Sequence, residues 1–193
     1  MQYYLMKPLG LVRKEKYCKT DGPPEGISGN KLPLKYGGSL KDIYPDDPYE
    51  VTMRLDNDRP QHTQLGSYIS NTSNYLMVSS DVVDELNKFN IGDVDFWPFT
   101  LINHLGNIHS QDYRFVCPLQ PFDAINEKLC EIVRDANGIA IGIDRVVLDN
   151  KKLEKAPDMF RVNDIRLMAF SESLVELLLD RFTNFAFDKA EQV

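Results

Sequence analysis

Two stretches of this chain are written to one plan. Residues 75–99 read YLMVSSDVVDELNKFNIGDVDFWPF, and residues 166–190 read RLMAFSESLVELLLDRFTNFAFDKA. In each, a β-prone apolar run meets a serine, apolar residues then recur at helical spacing, and an aromatic run follows. A helix with one apolar stripe must bury that stripe, and the strands on either side supply a sheet to bury it on. The expected class is therefore α+β: a mixed or antiparallel sheet with about three helices on its faces, containing two similar strand–Ser-capped helix–strand units.

The two units correspond through the helix at a constant offset of 92, and the second loop is then about three residues shorter. Ser79 and Ser171 stand where a helix N-cap belongs, with a hydroxyl able to accept from an early helix N–H. Val82, Val83, Leu86 and Phe89 form the first stripe, and Leu174, Val175, Leu178 and Phe182 the second. Asp81, Asp84 and Glu85, and then Glu172 and Glu176, place carboxylates where the helix dipole favours them. Gly92 is the expected stop of the first helix, a role for which the second unit has no glycine. Leu177 and Leu179 widen the second apolar arc, which calls for a central position or a covering partner.

The rest of the chain reads around this frame. Residues 1–6 form a first strand. Residues 20–60 are an irregular segment dense in Pro and Gly (DGPPEG, YGGS, YPDDP, DNDRP), with YEVTMRL as its one strand. YRFVCP reads as a strand. Asp123 is placed to cap a helix carrying Ile125, Leu129, Ile132 and Val133 and stopped by Asn137-Gly138. IAIGIDRVVLD is a strong strand, residues 151–157 a polar turn, and MFRV and IRLMAF a strand pair turning at Asn163-Asp164. All 193 residues fit one domain.

Composition narrows the function classes. The formal net charge is −7, and the one basic cluster, RKEKYCK, is short. Phosphate-backbone binding needs clustered Lys and Arg, so direct nucleic-acid binding is not expected, and an acidic chain suits a basic partner. Cys18, Cys117 and Cys130 have no metal-like spacing and fit free thiols in a reducing compartment, with cytoplasm as the expected location. No stretch approaches the ~20 apolar residues of a membrane helix. The first residues put apolar before basic, the reverse of a secretory signal.

Chemistry-bearing motifs are scarce. No phosphate-binding loop, dinucleotide fingerprint, nucleophile elbow or H-E-x-x-H occurs. In NHLGNIHSQD, His104 and His109 with Asp112 could converge on a metal, but without a second pair of ligands they read as a polar, solvated loop. Asp93 and Asp95 could share a strand face as an acid–base pair, though beside Gly92 they read as turn acids. Cys117 in FVCP is an inert buried thiol rather than a nucleophile. Tyr3, Tyr4, Trp97 and Phe99 alternate as core residues do. No cofactor and no metal are expected.

The C-terminal run DRVVLDNKKLEKAPDMFRVNDIRLMAFSESLVELLLDRFTNFAF resembles bacterial immunity proteins of polymorphic-toxin and type VI secretion systems. The family is immunity family eleven, formerly a domain of unknown function. The matching residues are Leu148, Asp149, Phe160, Arg161, Ser171 and Leu174, in cap, core and turn roles. YYL near the start and VSSDVVDEL…FWPF are similar to that family as well, whose members carry two such serine units. The middle departs from the pattern, with Cys117 and Asp123 in YRFVCPLQPFDAI.

The resemblance implies a non-enzymatic protein that binds and neutralises a cognate toxin effector in the producing cell. The expected contact residues are Asp42, Tyr44, Asp46, Asp47, Tyr49 and Glu50 of DIYPDDPYE, with Asp81, Asp84 and Glu85 of the first helix. Tyr suits an anchor, and acids suit register and steering. Two other readings compete: a small cytoplasmic enzyme of unrecognised type, and an adaptor that self-associates through Leu177 and Leu179.

Overall fold

Alternation in the strands decides the layering. In a computed structural model, which describes residues 1–7, 16–28, 33–34, 37–136, 140–163, 165 and 167–193, the elements follow one another as β1 (Tyr3–Met6), β2 (Lys19–Thr20), β3 (Thr52–Arg54), β4 (Ser70–Asn71), β5 (Met77–Ser79), α1 (Ser80–Leu86), β6 (Val94–Ile102), β7 (Ile108–Pro118), β8 (Glu131–Arg134), β9 (Ala140–Arg145), β10 (Val147–Leu148), α2 (Asn150–Leu153), β11 (Met159–Arg161), β12 (Met168–Ser171), α3 (Glu172–Arg181), β13 (Phe187–Lys189) and β14 (Glu191–Gln192). The class is α+β, with mostly antiparallel sheets. Part of the basic cluster (residues 13–15), the Asn137-Gly138 stop and Asp164 of the expected turn lie outside the described residues.

Two four-stranded sheets carry the structure, in the orders β11-β12-β1-β13 and β3-β6-β7-β5. The two repeated units have the same topology. β5 and β6 both pair antiparallel with β7, which lies between them. β12 and β13 both pair antiparallel with β1, which lies between them. Each helix thus links two parallel strands across one antiparallel strand. In one unit the inserted strand follows directly by a hairpin; in the other it is the start of the chain.

Both faces of both sheets are buried, giving three cores. Val78 and Val116 of one sheet and Met159, Met168 and Phe170 of the other face a middle core. Val82 and Leu86 of α1 and Leu174, Val175 and Leu178 of α3 fill it. Met77, Phe99, Phe115 and Cys117 point the opposite way, into a second core. Tyr3, Phe160 and Ala169 point into a third, with Ile125, Leu148 and Leu153. Burying a Leu or Val in such a core is worth ~1.5–3 kcal/mol.

The irregular segment is a fitted cover rather than a loose loop. Ile27, Leu34, Leu40, Val51, Met53 and Leu55 are all buried against the second core. Arg161 is also buried, with its guanidinium 3.5 Å from the Leu34 carbonyl. Burial lowers its pKa to about 10, so it stays protonated at neutral pH.

Several sequence expectations need correction. Ser79 and Ser171 do occupy the N-cap positions with extended backbone, but neither hydroxyl accepts a helix N–H. Ser79 instead donates to Asp81, whose carboxylate takes the Val82 N–H at 2.9 Å. A carboxylate is the stronger acceptor and displaces the hydroxyl from the task. The buried Ser171 hydroxyl lies 3.3 Å from that of Ser173. α1 ends at Leu86, well before Gly92, and unwinds through tightened turns; Gly92, at φ +67°, directs the chain into β6.

No helix covers residues 123–133. Asn126 closes a single turn, and Ile132 and Val133, β-branched and suited to a strand, pair with Ile143 and Gly142. The third helix is α2, where a polar turn was expected, with the Asp149 carboxylate accepting from Lys151 N–H. The expected long strand after Ala140 divides into β9 and β10. The strand that follows α3, β13, starts at Phe187, while Phe185 packs in the middle core. Leu177 packs at the margin of that core, and Leu179 is 54% exposed. MFRV and IRLMAF do pair, as β11 and β12.

Leu178→Ala should lower stability by about 2–5 kcal/mol through an unfilled cavity, whereas Leu179→Ala should stay within about 0.5 kcal/mol. Urea unfolding of the two variants checks the assignment of the buried stripe.

Candidate partner-binding surface

The acidic segment at residues 42–50 is held from both ends by buried anchors. Leu40 and Val51 are fully buried. The Leu40 carbonyl accepts from Ile43 and Tyr44 N–H at 2.9 and 2.8 Å. Asp47 caps a short 3-10 turn, Pro48–Glu50, accepting Tyr49 N–H at 3.0 Å, with Pro48 preset for the first turn position. Thr100 of β6 donates its N–H to Val51 O at 2.8 Å and its hydroxyl to Tyr49 O at 2.8 Å.

Tyr44 is part of this fastening. Its ring lies 4.7 Å from that of Trp97, and its hydroxyl donates to Pro98 O. Burial raises its pKa. It therefore cannot be an exposed anchor, which corrects the expectation for this residue. What remains outward is Asp42, Asp46, Asp47, Tyr49 and Glu50, preceded by the exposed Lys41. Together they make a rigid acidic ledge along β6.

The first-helix acids belong elsewhere. Tyr44 and Trp97 pack on the second core, while α1 packs on the middle core, so the ledge and α1 lie on opposite faces of one sheet. Asp81 and Asp84 are exposed, and Asp81 is engaged by Ser79 and Val82. Glu85 is not a surface acid at all. It is 7% exposed and accepts from Lys88 and from Arg181 of α3, both at 2.7 Å. The Lys88 hydrogen bond, then that of Arg181, hold its pKa below the ordinary carboxylate value. Glu85 ties the two repeated units together.

The enzyme candidates do not assemble. NHLGNIHSQD is the turn and first strand half of the β6–β7 hairpin rather than a loop. His109 and Asp112 both lie on β7, on either side of a register shift, and are not grouped with a third ligand among the described residues. His109 Nε2 lies 3.2 Å from Thr63 O and 3.7 Å from Cys18 Sγ. A nitrogen that donates to a carbonyl is not free to take a proton from the thiol, and burial pushes the Cys18 thiol up to about 11. The thiolate needed for nucleophilic attack is therefore disfavoured. Cys117 is buried and pushed up to about 12 for the same reason.

Asp95 accepts from the Ser39 hydroxyl at 3.0 Å. Asp93 instead borders a cleft of about 140 Å³ with Pro118, Pro121, Phe122 and Pro157. Among the described residues no three His, Cys, Asp or Glu side chains are grouped to hold a metal, and no helix is long and apolar enough to cross a membrane.

One surface feature escaped the sequence reading: the tip of the β6–β7 hairpin, where Leu105 is 85% and Ile108 63% exposed. An N-x-x-G-N stretch between two apolar runs is the signal that marks such a turn. Compared with known families and curated proteins, the chain matches no family model and no curated relative.

The Glu85 pKa is lower folded than unfolded. Its contribution to stability is therefore present above 4.5, the ordinary value, and is lost as pH falls through the depressed folded value. Glu85→Gln should be less stable than the native chain at pH 7 and should lose less on acidification. Urea midpoints at pH 7 and below pH 4.5 read both effects.

Proposed function

We propose that the chain is a non-enzymatic immunity protein, which binds a basic toxin effector and neutralises it in the cytoplasm of the cell that makes both. The observation that carries this reading is the ledge: carboxylates of Asp42, Asp46, Asp47 and Glu50, with the exposed Tyr49, on a segment fastened by Leu40, Tyr44, Val51 and Thr100. The resemblance to immunity family eleven supplies the partner class.

The ledge suits that work physically. A binding loop fixed beforehand loses little entropy when it docks. Like charges gathered on one rim raise the encounter rate with a basic surface and set its register. Tyr49 brings apolar area and a hydroxyl at low entropic cost. Asp81 and Asp84, on the opposite face of the sheet, fall outside this contact.

The polypeptide encoded immediately upstream is the partner to test, by titration at two salt concentrations. Tight, stoichiometric binding that protects cells from that polypeptide is the expected result; absence of both would sink the reading. Reversing Asp46, Asp47 and Glu50 to Lys together should slow association about 10–100-fold at low salt and much less at high salt. Tyr44→Ala, which leaves every ledge acid in place, should weaken binding by unfastening them, and amide exchange of residues 42–50 should quicken in parallel.

A further inference from the structure

The hairpin tip combines high apolar exposure with a locked backbone. Asn103 N–H donates to Asn107 O at 2.9 Å, and Gly106 N–H donates to Asn103 O at 3.0 Å. The Asn103 side-chain oxygen accepts from Leu105 and Asn107 N–H, each at 3.0 Å. Gly106 supplies φ +80°, a conformation that side chains rarely adopt. Register shifts at Phe99/Leu101 and Leu101/Ile102 twist the base of the hairpin. A fixed turn holding a Leu this exposed is a preorganised protrusion, and a protrusion fits a pocket.

The ledge and the tip lie along one strand. Tyr49 is bonded to Thr100, two residues before the end of β6, and Leu105 lies in the turn that follows, at most about 16 Å away at ~3.3 Å per residue. An interface of ordinary size buries about 800 Å² on each partner, a patch roughly 30 Å across, which is wide enough for one partner to span both. Charge separates a protein from a bilayer as occupant. At the base of the tip Arg54 stands opposite Ile102 and is paired with Glu25 at 3.0 Å, and Arg59 is paired with Asp56 at 3.4 Å. Loops that enter anionic membranes need an excess of cations beside the apolar residue, and both of these arginines are already neutralised by acids.

We propose that the hairpin tip at residues 103–108 is the apolar anchor of the ledge interface, with Leu105 entering an apolar pocket on the basic partner protein. The inference rests on the partner-binding reading and extends it: the ledge governs association, and the tip governs dissociation.

The test compares the native chain, Leu105→Asp, Leu105→Asn and the triple ledge reversal, each titrated against the upstream polypeptide by surface plasmon resonance. Because Leu105 is 85% exposed, both tip variants should unfold at the native temperature. Expected are a tenfold or greater increase in dissociation rate for both, with association nearly unchanged, and the converse for the ledge variant. Native binding that the tip variants leave intact overturns the anchor while leaving the partner reading in place. No binding by the native chain overturns both. Co-sedimentation of the native chain with phosphatidylcholine–phosphatidylglycerol vesicles, lost in Leu105→Asp, assigns the tip to a bilayer and overturns the protein pocket.

Discussion

Burial of two helices in one middle core is the constraint on which the rest of the structure depends. Neither α1 nor α3 has a sheet to itself: Val82 and Leu86 meet the same apolar volume as Leu174 and Leu178, between Phe170 on one side and Val116 on the other. A volume shared in this way fixes the separation of the sheets, and Glu85 closes its rim by joining Lys88 and Arg181. With the inner faces so occupied, the outer faces still carry Phe115 and Phe160, which must be covered from elsewhere. The irregular segment covers one, and residues around Ile125, Leu148 and Leu153 cover the other.

The repeated phrase was the most legible part of the sequence, and its meaning lies in topology. The stripes at Val82/Leu86 and Leu174/Leu178 and the pairing of MFRV with IRLMAF are local patterns of period 3.6 and 2, so the chain displays them directly. The position of β1 between β12 and β13 is not local and has no periodic trace. The helix expected after Asp123 failed because Ile132 and Val133 satisfy a helical stripe as well as a strand, and a partner strand decided between them. The serines were placed correctly and their chemistry was not: Asp81 takes over from Ser79, and the Ser171 hydroxyl lies against that of Ser173.

The candidate surface was legible in part. Acidic residues in a Pro-rich stretch can be read as exposed, and Asp42, Asp46, Asp47 and Glu50 are. Tyr44 and Glu85 could not be sorted from them by sequence, because what removes them is contact with Trp97 and with Arg181, far along the chain. The same long-range packing gives the ledge its rigidity. Thr100, a residue with no functional look, holds Tyr49 and Val51 in place through its hydroxyl and its N–H.

The central place of β1 sets an order of assembly. The strands of the sheet β3-β6-β7-β5 all precede Leu119, so their pairing can begin while later residues are still being synthesised, although its inner face is covered only once Phe170 and Leu174 arrive. The other sheet cannot: Tyr4 pairs with both Phe170 and Lys189, and the Tyr3 N–H bonds to Gln192. Its first strand must wait, unpaired and apolar, until residues 169–189 arrive. Pairings this distant in sequence close slowly. During synthesis, YYLM is thus the segment most in need of protection from other chains.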